Sequence, residues 1–107
     1  MAIYLVRMDH PDGPAWGQFV VEHVQYLKGL IAKGKLIASG PLVGTPRRAG
    51  FLIFNANDAG EVQALVAADP FSREGLIDAL DIQQWQPFFG ELAAYAPSEL
   101  PEVLNKP

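Results

Sequence analysis

The chain has no cysteine, which removes disulfides, thiolate nucleophiles and cysteine-ligated zinc from consideration. Positive charge is scarce as well. Eight Lys and Arg stand against twelve Asp and Glu, for a formal net charge of −4, and the longest basic run is Arg47-Arg48. Nucleic acid and anionic membrane surfaces both reward clustered positive charge, so neither is an expected partner. Histidine occurs only twice. One copy lies in "DHPD", where Asp9, His10 and Asp12 crowd together, but no further free histidine or cysteine completes a ligand set. That stretch reads as a polar turn, and neither a metal nor another cofactor is expected. No apolar run approaches the roughly 18 residues of a membrane span. The opening "MAIYLVRMDH" lacks the basic-then-apolar order of a signal peptide. These absences describe a soluble cytoplasmic domain.

What is present is apolar content. Of 107 residues, 50% are hydrophobic, enough for one compact domain with a core. "AIYLVRM" (2–8) is rich in β-branched and aromatic residues and reads as a strand, followed by the turn-rich loop "DHPDGPA" (9–15). From Trp16 to Lys33, apolar residues at Phe19, Val20, Val24, Leu27, Leu30 and Ile31 recur near a period of 3.6, and Gly34 supplies the stop. "KLIASG" (35–40) and "FLIFNA" (51–56) read as two more strands. Asp58-Ala-Gly-Glu61 has the spacing of a capping box and opens a second helix carrying Val62, Leu65 and Val66. A short turn after Asp69-Pro70-Phe71 leads to the last strand, "LIDALDIQQWQ" (76–86). Residues 1–87 form the domain; 88–107, ending in the proline-rich "APSELPEVLNKP", form an irregular C-terminal extension. Within it, "FFGELAAY" reads as a short helix over the seam of a dimer.

The order βαββαβ defines an α+β, ferredoxin-like domain with a four-stranded antiparallel sheet. Right-handed crossovers place both helices on one face. Yet "FLIF" and the first strand put apolar residues on both faces, Phe51 and Ile53 against Leu52 and Phe54, and Ile3 and Leu5 against Tyr4, Val6 and Met8. A second sheet is the natural cover for the helix-free face, at about 25 cal/mol per Å² of apolar area buried. A homodimer is therefore expected.

Two polar residues interrupt apolar stripes. His23 lies between Phe19 and Leu27 at i, i+4 spacing, and one further step along the stripe of Val62, Leu65 and Val66 lands on Asp69. Alone, His23 reads as a satisfied core histidine and Asp69 as a helix end facing water. The topology changes both readings, because it brings Asp69, His23, the loop 9–15 and Ser39-Gly40-Pro41 to one rim of the sheet. A carboxylate on one imidazole nitrogen fixes the tautomer and leaves the other nitrogen as a base. Ser39 could orient a substrate, and N–H groups around Gly40 could meet a developing oxyanion. Ser39 lacks the adjacent base of a nucleophile. Trp16, Phe71 and Trp85 could line a pocket for a ring, with core packing the better account of Trp85. Arg47-Arg48 reads as a solvated pair that could also hold an anionic group.

"EHVQYLKGLIAKGKLIASGPL" followed by "AADPFSREGL" resembles the YCII-related family: a helix histidine, Gly-Pro after the second strand, Asp-Pro-Phe after the second helix, and a tryptophan in the last strand. The resemblance covers residues 2 to 87. It implies a dimeric α+β barrel of the kind shared with muconolactone isomerase, and an active His–Asp pair at His23 and Asp69. Some relatives remove chloride from chlorinated hydroxyquinols. The loop "MDHPDGPAW" departs from the pattern, so substrate identity does not carry over.

Three functions follow. The first is a small cofactor-independent lyase, isomerase or dehydrohalogenase in which His23 moves a proton on a small cyclic substrate and Asp69 orients it. Ser39, Gly40, Pro41, Phe71 and Trp16 would bind that substrate. The second is a non-catalytic dimer that holds a small hydrophobic molecule; the third is a scaffold. Only the first requires His23 and Asp69 in contact beside a cavity.

Overall fold

The computed structural model describes residues 1–96 and 102–104. Four strands form one antiparallel sheet: β1 (Ala2–Asp9), β2 (Leu36–Pro41), β3 (Ala49–Ala56) and β4 (Ala79–Trp85), ordered β2-β3-β1-β4. Helices α1 (Ala15–Ala32) and α2 (Ala59–Ala67) make the two crossovers, and a single turn, α3 (Pro70–Arg73), follows α2. This is the ferredoxin-like arrangement. The segment after Asp69 expected as a plain turn is thus helical, and β4 begins at Ala79 rather than at residue 76. The expected helix within "FFGELAAY" is reduced to one short helical turn at Ala93–Tyr95. Most of "APSELPEVLNKP" lies outside the described residues.

The core follows from strand alternation. Tyr4 pairs with Phe54 and Val6 with Leu52, so these side chains share one face with Met8 and Ala56. Leu27 and Leu30 of α1 and Val62 and Val66 of α2 pack onto that same face, so both helices cover it. The opposite face carries Leu5, Phe51 and Ile53, none fully buried, with Arg7, Asp81 and Gln83 around them. Trp85 belongs to this outer face, paired with Ile3 and 40% exposed, because its place in the ladder fixes the side to which it points. Core packing was the wrong expectation for it. No described helix is long and apolar enough to cross a membrane.

Both crossover helices carry local signals that set their ends. At the C-terminus of α1, Lys35 N–H donates to the Leu30 carbonyl at 2.9 Å and Gly34 N–H to that of Ile31 at 3.0 Å. This paired closure requires a residue with positive φ, and Gly34 has φ of 73°. At the start of α2, the Asp58 carboxylate accepts from Glu61 N–H at 2.8 Å, while Glu61 reaches back to accept from Asn57 N–H at 2.7 Å. Glu61 also pairs with Lys35 at 2.8 Å. The Lys35 ammonium, then the Asn57 N–H, hold its carboxyl below the usual glutamate range.

Two glycines in the same helix region should respond oppositely to alanine. A methyl group at either Gly34 or Gly29 would meet no atom within 4 Å, so only backbone preference remains. Gly34→Ala should lower stability by about 1–2 kcal/mol, the cost of a left-handed L-residue. Gly29→Ala, inside α1, should raise it by about 1 kcal/mol. Urea midpoints at unchanged slope would check both signs.

Candidate active site

The site is built on Asp69. Helix α2 ends at Ala67, and Asp69 takes an extended conformation (φ −64°, ψ 134°) that starts α3 with Pro70 at its first position. A residue before proline is driven out of the α region, and proline suits the first turn of a helix, so the sequence Asp-Pro both stops one helix and starts the next. As the cap of α3, Asp69 Oδ1 accepts the Phe71 N–H at 2.8 Å. The side chain is 1% exposed.

Its other partner is the imidazole of His23. His23 Nδ1 donates to both carboxylate oxygens of Asp69, at 2.9 Å and 2.8 Å. Helix α1 delivers His23 on the stripe that also carries Val20, Val24 and Leu27, and the ring is 14% exposed. Committing Nδ1–H to the carboxylate leaves Nε2 as the proton-accepting nitrogen. The phenyl ring of Phe71 stacks on this imidazole, with centroids 4.1 Å apart and planes 17° from parallel. One residue therefore anchors two functions: Asp69 sets the tautomer of His23 and, through the cap, the position of the ring stacked on it.

The pair borders a cavity of about 420 Å³ between α1 and the β1–β3 side of the sheet. His23 and Ser39-Gly40-Pro41 line it as expected, Asp69 stands behind His23, and of the loop 9–15 only His10 reaches it. Ser39, Gly40 and Pro41 contribute from the β2 edge, and Trp16 from the start of α1. No hydrogen bond among the described residues joins Ser39 to an imidazole. Phe71 also lines the cavity, yet it is only 1% exposed; its main contacts are the surrounding rings. Arg48 enters as well, its guanidinium 4.2 Å over the Trp16 ring, while Arg47 turns away to pair with Asp78. The Nε1–H of Trp16 is buried without a partner among the described residues.

One residue of the site was misread. His10, taken as part of a polar turn, is 4% exposed and lines the cavity. The β1–β3 ladder continues one step beyond Asp9, with His10 N–H donating to the Arg48 carbonyl at 2.9 Å. Period-2 alternation then sends its side chain to the helix face, after Tyr4, Val6 and Met8. That signal was in the sequence; extending the stripe of β1 by two residues reaches it. His10 Nδ1 donates to the Leu76 carbonyl at 2.7 Å, and the ring meets the edge of Phe71 at 4.9 Å between centroids. Among the described residues, no group of three His, Asp or Glu side chains is arranged to hold a metal ion.

The chain matches the YCII-related domain over residues 1–86 and belongs to that family. No curated protein matches it in sequence. Among solved structures it is similar to 5-chloro-2-hydroxyhydroquinone dehydrochlorinase (TftG) from Burkholderia phenoliruptrix AC1100, in complex with 2,5-dihydroxybenzoquinone. The two share 27% identity over 78% of this chain and 93% of that one, with a TM-score of 0.69. Similar folds at lower identity include protein Atu4242 from Agrobacterium tumefaciens, at 16% identity and a TM-score of 0.53 over 81% of this chain and 93% of that one. A dimeric ferredoxin-like protein of unknown function from Jannaschia sp. CCS1 gives 18% and 0.50 over 80% of this chain and 99% of that one.

Tyr26 reports on the charge of the pair. Its hydroxyl donates to the Leu65 carbonyl at 2.6 Å, and burial, then the nearby negative charge of Asp69, push its pKa above the ordinary value of 10.0. A raised pKa in the folded state gives stability that is intact below the unfolded value and lost as pH rises through the folded one. Alkaline titration followed by denaturant unfolding should therefore show stability falling above about pH 10. Tyr26→Phe should flatten that fall while leaving the acid side unchanged.

Proposed function

We propose that this YCII-related chain is a small, cofactor-independent enzyme that transfers a proton on a ring-shaped, aromatic-derived substrate, in a lyase, isomerase or dehydrohalogenase reaction. The observation that carries this reading is the part-buried His23–Asp69 hydrogen bond beside a largely apolar cavity that includes aromatic rings. Asp69 keeps Nδ1 protonated, so Nε2 of His23 is the base. It takes a proton from substrate, and the electron pair left behind forms the new π bond of an enol, enone or quinone. In an elimination the leaving group departs with its own bonding pair. In an isomerisation the proton returns at another atom. Asp69 stabilises the imidazolium formed on the way.

The likeness to TftG supports the elimination branch and a hydroxylated, chlorinated ring as the first substrate to test. Ser39, Gly40, Pro41 and Trp16 would bound such a ring, with Phe71 behind the imidazole; Arg48 would balance charge developing on a ring oxygen. Purified protein should release chloride from a chlorinated hydroxyquinol. His23→Ala should remove roughly 10²- to 10⁴-fold of the rate, the usual contribution of a general base. Asp69→Asn should retain the fold and lose most of the same activity. Unchanged kcat in either folded variant would defeat the reading.

The assembly proposed with this function is a homodimer over the helix-free face, where Leu5, Phe51 and Ile53 form an apolar centre. Light scattering at micromolar concentration should give twice the chain mass, and Leu5→Asp should shift it to one chain. A single-chain mass for the folded wild type would overturn the dimer.

A further inference from the structure

The cavity holds a second imidazole with the same polarity as the first, and the proton-transfer reading makes no use of it. His10 donates Nδ1–H to the Leu76 carbonyl at 2.7 Å. A carbonyl can only accept, so this contact fixes the hydrogen on Nδ1 and makes Nε2 of the neutral ring an acceptor. His23 is fixed in the same sense by Asp69. Both rings press on Phe71, His10 by an edge contact at 4.9 Å and His23 by a stack at 4.1 Å, so a single phenyl group spaces the two bases. The Nε2 of His10 is directed at the glycine floor of the cavity. A methyl group built on Gly50 would lie 3.9 Å from it and 3.9 Å from the Gly40 carbonyl oxygen, and both glycines line the cavity. Gly50 leaves open the approach to Nε2 that a branched side chain would cover.

We propose that His10 is a substrate-binding residue whose Nε2 accepts a hydrogen bond from a second hydroxyl of the ligand, so that the cavity selects rings carrying two hydroxyl donors over rings carrying one. The inference rests on the reading of this cavity as the substrate site. While His23 takes the reacting proton, His10 holds the other end of the ring. An elimination or isomerisation that ends in a dicarbonyl must also release the proton of the second hydroxyl. That proton passes from oxygen to Nε2 of His10 as the O–H electron pair forms the second C=O bond, and the displaced π pair is taken up by the departing group or by a proton returning to a ring carbon. The imidazolium so formed keeps its bond to the Leu76 carbonyl, and Arg48 in the cavity wall balances negative charge that develops on oxygen during the transfer. Asp69 cannot take this role: it is closed off at 1% exposure, and its oxygens are committed to His23 and Phe71.

The test uses two unreactive probes, phenol and hydroquinone, titrated into the intact protein while the imidazole nitrogens are followed by NMR. Wild type should bind hydroquinone roughly two- to tenfold more tightly than phenol, the worth of one added hydrogen bond. The Nε2 resonance of His10 should move with hydroquinone and stay still with phenol. His10→Asn places an amide N–H near the position of Nδ1, so the bond to the Leu76 carbonyl is kept while the Nε2 acceptor is lost. That variant should bind both probes with the affinity of phenol. Gly50→Val keeps His10 and covers its Nε2, and should abolish the preference by the second route. If both probes bind and the preference survives in folded His10→Asn and Gly50→Val, the role of His10 is wrong while the cavity reading stands. If neither probe binds wild type and no imidazole resonance moves, the cavity reading falls and the inference falls with it.

Discussion

A buried carboxylate with two obligations organises this molecule. Asp69 is sealed from solvent, and charge in such a place is costly unless hydrogen bonds meet it. The His23 ring and the Phe71 N–H meet it here. Those two partners come from different elements, α1 and the start of α3, and both crossover segments are thereby tied at one end of the sheet. The stacked Phe71 then sets the spacing of everything on that wall. Removing the side chain would disturb the tautomer, the cap and the ring together.

The cavity beside it exists because strand parity and glycine agree. Met8, His10, Ser39 and Leu52 face the helices by alternation, while Gly40 and Gly50 contribute no side chain to fill the space. Helix α1 crosses above, with Val20, Val24, Leu27 and Ile31 on the side that meets the space. The result is an apolar trough with few polar atoms, among which the two imidazoles are each oriented by a bond on the far side. That is the composition expected of a small-molecule site, in which apolar walls bind and a few fixed polar groups orient.

Much of this was legible in the chain. The period of the first helix, the capping box at Asp58 and the βαββαβ order were sufficient for the topology. Two polar residues standing in phase on apolar stripes pointed at the same rim. Asp69 is instructive, since it does not continue α2 at all; the helix stops at Ala67 and the direction of the side chain comes from the cap it forms next. His10 is hidden in the sequence because Asp9, Pro11 and Asp12 make the segment look solvated, while the ladder that fixes its side runs past the apolar stretch. Trp85 is hidden for the opposite reason. An aromatic residue in a strand invites a core assignment, but which face it joins depends on register with Ile3, a pairing that composition does not carry.

The placement of the two tryptophans has an optical consequence. The chain has only these two, Trp16 in the cavity wall under the Arg48 guanidinium and Trp85 on the opposite side of the sheet. Indole emission responds to local polarity and to nearby quenchers, so each ring reports on a different event. A molecule entering the trough perturbs the first; a surface laid over the helix-free face perturbs the second. Replacing either indole with phenylalanine leaves a protein whose intrinsic fluorescence follows one of those events alone, with no label attached.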